Sequence, residues 1–276
     1  WRTEMSTTVP VSFIEQYEAE VKQVYQREGS LLRGAVRTRT QVNAERVYFP
    51  ILGKGSATSK ARHADVTPMD LEHTRAFAEM SDFYAPEYID ELDQAKLNWS
   101  LASEYARASG NALGRQTDQI LIDSMDASTN VTDPNTLDGS ASGKLTLPVI
   151  AGLSRIHNAA DVPMDNMRYC VVNPETHAEL LQLSEATSSD FTTTQLLMNA
   201  REPAMWMGYR WIMHAGLPDG VKGFFFHSQS VGHGISQEVT TEVNYIAQKV
   251  AFLVNSYMSM GATIIDEPGV IKLEEN

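Results

Sequence analysis

The stretch YIDELDQAKLNWSLASEYARASGNALGRQTDQILIDSMD, Tyr88–Asp126, decides how the rest of the chain is read. Ile89, Leu92, Leu97, Leu101, Tyr105, Ala108, Leu113, Ile120 and Leu121 recur mostly three or four residues apart, with Glu91, Asp93, Glu104, Arg107 and Asp118 between them. That spacing predicts one long amphipathic helix. Pro86 and Glu87 suit its first turn, Asp90, Glu91 and Asp93 suit its positive end, and no proline interrupts it before Pro134. At 1.5 Å per residue such a helix is about 55–60 Å long, more than a compact domain of this size needs, so it reads as a spine. Gly110 and Gly114 each cost it about 1 kcal/mol relative to alanine, and so mark a close backbone approach or a point where it bends.

Around this spine lies a chain of 276 residues, 42% hydrophobic and 21% charged, enough for one elaborate domain or two intimately packed ones. No apolar run reaches the roughly 20 residues a bilayer span requires, and the N-terminus lacks a basic-then-apolar signal pattern, so no membrane association is expected. Met5-Ser6-Thr7 reads as a translation start, with the first four residues coming from an upstream frame or from trimming of a longer precursor. Cys170 is the only cysteine, which rules out an intramolecular disulfide and reads as a buried inert thiol.

The net charge of −13 argues against a dedicated nucleic-acid binder, which carries a basic footprint. Between Lys22 and Arg62, however, nine basic residues face only Glu28 and Glu45. A basic segment on an acidic body is expected to lie across another copy of the same protein.

Taken in order, Val11–Leu32 reads as an arm helix ending near Gly29, with Phe13, Ile14, Tyr17, Val21, Val24 and Tyr25 on one face. The period then changes. VYFPI (Val47–Ile51) and Leu71–Tyr84 read as two strands flanking the polar tip GKGSATSKARHADVTP, a ribbon expected to rest on a neighbour because its tip has nothing apolar to bury against its own body. Asp126–Gly143 reads as a loop, Pro148–Ala160 as a helix, RYCVV (Arg168–Val172) as a buried strand, PETHAELLQL as a helix capped by Asn173, and Ser184–Asn199 as a polar loop. Two strands around Leu-Pro-Asp-Gly follow, and Glu238–Glu274 alternates as strands do.

Motifs for chemistry are weak. GKGSATSK has the composition of a phosphate loop without its spacing. His227-Ser228-Gln229-Ser230-Val231-Gly232 resembles a nucleophile elbow around Ser230, but with Ser228 where the first glycine belongs and no helix after it. His227 and His233 have no third ligand in register and read as surface histidines, and Trp206 and Trp211 read as packing or a subunit contact. No catalytic constellation, metal site or cofactor is expected.

The order of parts and the residues filling them resemble the major capsid protein of tailed bacteriophages, whose fold is shared with herpesvirus capsid floors and bacterial encapsulins. VYFPI through the spine resembles that family's extended loop and spine helix, RYCVVNPETHAELLQL its axial strand and helix, MWMGYRWIMHAGLP a later axial strand, and QEVTTEVNYIAQKVAFLVNSYMSMGATIIDEPGVIKL its closing strands. The resemblance implies an α+β fold with an N-terminal arm (1–35), an extended β-ribbon loop (36–86), a peripheral domain with the spine helix (87–127), an axial domain (128–235) and closing peripheral strands (236–276). It implies a non-enzymatic subunit forming hexamers and pentamers of an icosahedral shell, assembled in the host cytoplasm and part of the virion. Such a shell encloses double-stranded DNA without reading its sequence, and its partners are portal and scaffolding proteins and, in some members, a cement protein.

On this reading Arg37, Arg39, Arg46, Lys54, Lys60 and Arg62 cross a neighbouring subunit, with Glu91, Asp93 and Glu104 as acidic counterparts, while Gly110 and Gly114 let the spine flex. Two alternatives stand beside it: an encapsulin-type compartment holding a cargo enzyme, and a hydrolase using Ser230.

Overall fold

The computed structural model of the chain describes residues 29–42, 44–91, 101–139, 142–183 and 205–275. The arm helix expected before Gly29, Asp93 and the polar loop expected at Ser184–Asn199 lie outside the described residues. A 3-10 turn at Arg33–Ala35 leads into β1 (Arg37–Arg39), β2 (Arg46–Leu52), β3 (His73–Glu79) and β4 (Ser81–Asp90). Helix α1 (Leu101–Asp126) follows, then β5 (Val131–Thr132), α2 (Pro134–Asp138), α3 (Leu147–Ala159), β6 (Arg168–Val172) and α4 (Pro174–Leu181). The chain closes through β7 (Met205–Trp206), β8 (Tyr209–Met213), β9 (Val221–His227), β10 (Val231–Ile246), β11 (Ala251–Ile264) and β12 (Val270–Glu274).

Three sheets result, ordered β1-β10-β11-β4, β5-β12-β9-β6-β8-β7 and β2-β3. The six-stranded sheet is buried on both faces, which is why RYCVV and VKGFFFH are nearly continuous apolar runs. Phe225 points into one core with Val149, Ile150 and Leu153 of α3, while Phe224 and Phe226 point into the other with Leu121, Ile122 and Met125 of α1. Helix α4 starts where the sequence places it: the Asn173 side chain accepts a hydrogen bond from Thr176 N at 2.6 Å, and proline follows in the first turn.

The spine serves two sheets. Its C-terminal half covers the six-stranded sheet, and its N-terminal half packs Leu113 against Ile235, Met258 and Met260 of the four-stranded one. Its start differs from expectation, because Pro86–Asp90 are strand, paired residue for residue with Ala251–Asn255. The alternation that suggested a helix there is the two-residue period of β4, an edge strand that tolerates Pro86. The strand expected over Leu71–Tyr84 is likewise two strands, divided at Met80: β3 joins the ribbon and β4 the body. The expected loop at Asp126–Gly143 also holds β5 and α2.

The chain entering from the N-terminus is tied to the spine by one buried carboxylate. Asp118 accepts hydrogen bonds from Ser30 Oγ at 2.5 Å, Leu32 N at 3.0 Å and Leu31 N at 3.1 Å, with His214 Nε2 a longer 3.5 Å away. Burial alone would raise its pKa, but His214, Ser30 and the two backbone N–H groups outweigh burial and hold it below the ordinary value. Gly29 meanwhile lies against Gly114, where a Cβ would come within 2.6 Å of the Gly29 backbone. Gly114 thus marks a close backbone approach. Among the described residues nothing stands within 4 Å of a Cβ placed on Gly110.

Histidines 227 and 233 are not at the surface. His227 is 3% exposed, held by Asp165 at 3.0 Å, and His233 is fully buried with neither ring nitrogen hydrogen-bonded among the described residues. Burial, then the Arg33 charge, push the pKa of His233 down to about 4. Burial, then Arg168 and His227, do the same to His157.

Two outcomes follow. Asp118→Ala orphans buried N–H groups and should cost about 3 kcal/mol in urea unfolding, with Asp118→Asn in between. Between pH 6.5 and 4 the unfolded chain takes up protons that folded His157 and His233 refuse, so stability falls as pH drops through that window, by up to about 3 kcal/mol for each. Comparing urea midpoints at pH 7 and pH 4.5, a His157→Phe/His233→Leu variant should show a much smaller difference; an unchanged one would refute the assignment.

Candidate functional site

No group of His, Cys, Asp or Glu suited to a metal ion occurs among the described residues, and the sequence motifs for chemistry dissolve into structure. Ser230 sits in a turn from β9 to β10, strand to strand, its N–H donated to His227 O and its carbonyl accepting Ile265 N at 2.7 Å. A nucleophile elbow runs from strand to helix instead. Trp206 and Trp211 pack together, ring centroids 6.0 Å apart, with Trp211 Nε1 donating to Trp206 O. Cys170 is fully buried, which pushes its thiol well above the ordinary pKa.

What projects is the ribbon. β2 and β3 pair antiparallel from Arg46↔Glu79 to Leu52↔His73, and Gly53 N to Glu72 O at 2.8 Å extends the pairing toward the tip. The two faces differ. The inward one, Val47, Phe49 and Ala78, is buried. It lies on β10 at Gly232 and Gly234: a Cβ on Gly232 would stand 2.7 Å from the Phe49 ring, and one on Gly234 would stand 2.5 Å from Val47. Gly261 of β11, paired with Gly234, is as tightly covered by the Glu79 carbonyl. The ribbon therefore rests on its own body at a patch of backbone stripped of side chains. The root of the ribbon thus has a support within its own chain beside the neighbour expected for it. The sequence signal was present in VGHGIS, where glycines alternate on one strand face.

The outward face is a ladder of cations and rings. Arg75 lies over Tyr48 at 4.7 Å, Arg46 over Phe77 at 5.1 Å, and Tyr48 meets Phe77 at 6.3 Å. Arg46 also pairs with Glu79 across the strands at 2.6 Å. Tyr48, Leu52 and Phe77 are 40%, 56% and 47% exposed, and Val66 and Met69 at the tip 73% and 50%. Apolar groups this exposed, in a row, mark a surface built for contact.

The expected site residues divide. Arg37 stands over the Phe49 ring at 5.9 Å and Arg39 donates to Tyr48 O, both bracing the root. Lys54 pairs with Asp161 of the same chain at 3.0 Å, Lys60 donates to Ala64 O, and Arg62 is exposed at the tip. Glu104 pairs with Arg107 at 3.4 Å, and the Glu91 carboxylate lies by the Tyr245 hydroxyl, so both acids have partners within the chain. The ribbon is also not basic as a whole. Its returning half, His63–Met80, carries four acids, Asp65, Asp70, Glu72 and Glu79, against Arg75 alone among lysines and arginines. One rim is basic and the other acidic.

Gly234→Val drives a branched side chain into Val47 and should cost about 1–3 kcal/mol. It should also lift the ribbon, speeding trypsin cleavage at Arg46 and Lys54 while far-ultraviolet circular dichroism stays unchanged; equal cleavage rates in variant and parent would argue against the glycine seat.

Comparison with known proteins agrees with this architecture. No curated protein matches the sequence. Among solved structures, the capsid of the cyanophage P-SCSP1u superposes with a TM-score of 0.74 at 16% identity, over 96% of this chain and 93% of that one. Mycobacterium phage Che8 gives 0.72 at 16%, over 98% of both chains, and the capsid of a native GTA particle gives 0.72 at 13%, over 96% of both. At these identities the likeness shows the fold, that of phage capsid subunits. The family model for phage capsid proteins matches residues 9–275, nearly the whole sequence, and the chain belongs to the phage capsid protein family.

Proposed function

We propose that this capsid subunit closes into hexamers and pentamers of an icosahedral shell around double-stranded DNA, each ribbon crossing the next subunit. The observation that carries the proposal is the outward ladder Arg46, Tyr48, Arg75 and Phe77, exposed on a ribbon whose other face is already seated on its own body. Burying Tyr48 and Phe77 against a neighbour would contribute about 1–3 kcal/mol each, where an exposed ion pair contributes about 0–1. Repetition over a lattice multiplies either.

The division into arm (1–35), extended loop (36–86), peripheral domain (87–127 and 236–276) and axial domain (128–235) belongs to the same reading. So do portal, scaffolding and cement partners. The role is structural and not catalytic, in keeping with the strand-to-strand turn at Ser230. A net charge of −13 suits a wall that repels its packaged polyanion.

The test is assembly. Expressed alone and with a candidate scaffold, the chain should give uniform closed particles by light scattering and negative-stain microscopy, and nucleic acid inside would separate a virus shell from a cargo compartment. Tyr48→Ser/Phe77→Ser should abolish particles and leave a folded monomer with its thermal transition within a few degrees of the parent. Monomers of the parent under every condition would sink the proposal.

A further inference from the structure

Where the ribbon leaves the body, a cleft of about 420 Å³ opens between the root of β3, the start of β4 and the C-terminal half of α1. Phe77, Phe83, Ile120 and Met260 give it apolar surface. Met260 is buried at its base, while Glu79 and Asp123 are exposed at its rim. Glu79 is paired with Arg46, and Asp123 accepts from Gln119 Nε2 at 2.8 Å, but among the described residues no Lys or Arg lines the cleft. An apolar base with a polar rim is the anatomy of a protein contact. Because Phe77 also belongs to the outward ladder under Arg46, the cleft is continuous with the ribbon's contact face.

The other end of the ribbon carries a projection of matching chemistry. A turn closed by Ala64 N donating to Ala61 O at 3.1 Å holds Lys60 and Arg62 against Asp65, and beside it Val66 and Met69 stand 73% and 50% exposed. Met69 lies across Gly55, where it leaves no room for a Cβ, so the tip is a formed knob. It cannot enter the cleft of its own chain. From Arg46↔Glu79 to Leu52↔His73 the ribbon has seven paired rungs, about 20 Å at 3.3 Å per residue, all of them between tip and root. Folding the tip back would break those pairs.

We infer that the tip of one copy's ribbon fills the cleft at the root of the next copy's ribbon, Val66 and Met69 against Phe77 and Ile120, with Lys60 and Arg62 facing Asp123. The inference rests on the reading that ribbons cross neighbouring subunits, and it names the surface that receives them. Charge supports it, since the cations stand on the knob and the carboxylates on the rim. Apolar burial supports it too, because the exposed side chains of the tip gain cover only on a second copy. Knob and cleft lie at opposite ends of one ribbon, so the contact is heterologous: every subunit gives one tip and receives one.

The test is read in assembled particles of the full chain, whose one native thiol is buried. Met69→Cys/Asp123→Cys particles should give, under mild oxidation, a ladder of covalent oligomers on a non-reducing gel. Met69→Cys/Lys144→Cys should not, since Lys144 precedes Leu145 in the core under α3, across the six-stranded sheet from α1. Particles without the ladder, an equal ladder from the Lys144 pair, or disulfides only within single chains would overturn the inference and leave the shell reading intact; a parent that forms no particles would overturn both. Asp123→Lys should raise the concentration needed for assembly about fivefold, the factor that one exposed ion pair per contact supplies. Adding Lys60→Glu/Arg62→Glu to that variant should restore assembly, and failure of the swap to restore it would count against the pairing of tip and cleft.

Discussion

Phe49 and Val47 lying directly on the backbone of Gly232 and Gly234 is the contact on which the ribbon depends. A two-stranded ribbon is marginal in water, and this one becomes a defined projection only because its inner face is desolvated against the body. Any Cβ in that patch would push the strands apart. Three glycines in two paired strands, Gly232 and Gly234 of β10 and Gly261 of β11, therefore set the direction in which the contact face is presented.

The spine does the complementary work of making two sheets one body. Leu121, Ile122 and Met125 bury against the phenylalanines of β9, and Leu113 against the methionines of β11, so neither sheet can move without disturbing the same helix. Asp118, between these two contacts, fastens the entering chain. Its buried negative charge is tolerated because hydrogen bonds replace the water it lost. Arm, spine, ribbon and sheets thus converge within a few residues of His233, which is buried among them.

Much of this was legible in sequence. RYCVV, its Asn173-capped helix and the ribbon strand VYFPI fall where pattern and turn chemistry place them. The spine was recognised but begun too early, because Tyr88–Asp90 fit either period and only pairing with Ala251–Leu253 decides between them. The histidines were misplaced for a related reason: nothing local to VGHGIS says that a 3-10 turn and a helix from two hundred and a hundred residues away will cover His233. The rings of the contact face could be read from composition. Their alignment with Arg46 and Arg75 could not, since it depends on a cross-strand register that sequence leaves open.

The reversal of charge along the ribbon has a consequence for symmetry. Two ribbons related by a two-fold axis would set like rims together, basic on basic or acidic on acidic, and repel. Turned the same way around a ring, the basic outgoing rim of one meets the acidic returning rim of the next. A contact of that kind is heterologous, never self-complementary, and it propagates until rotation closes it. If ribbons meet as proposed, the four acids and one arginine of His63–Met80 would favour rings over dimers before any shape is matched.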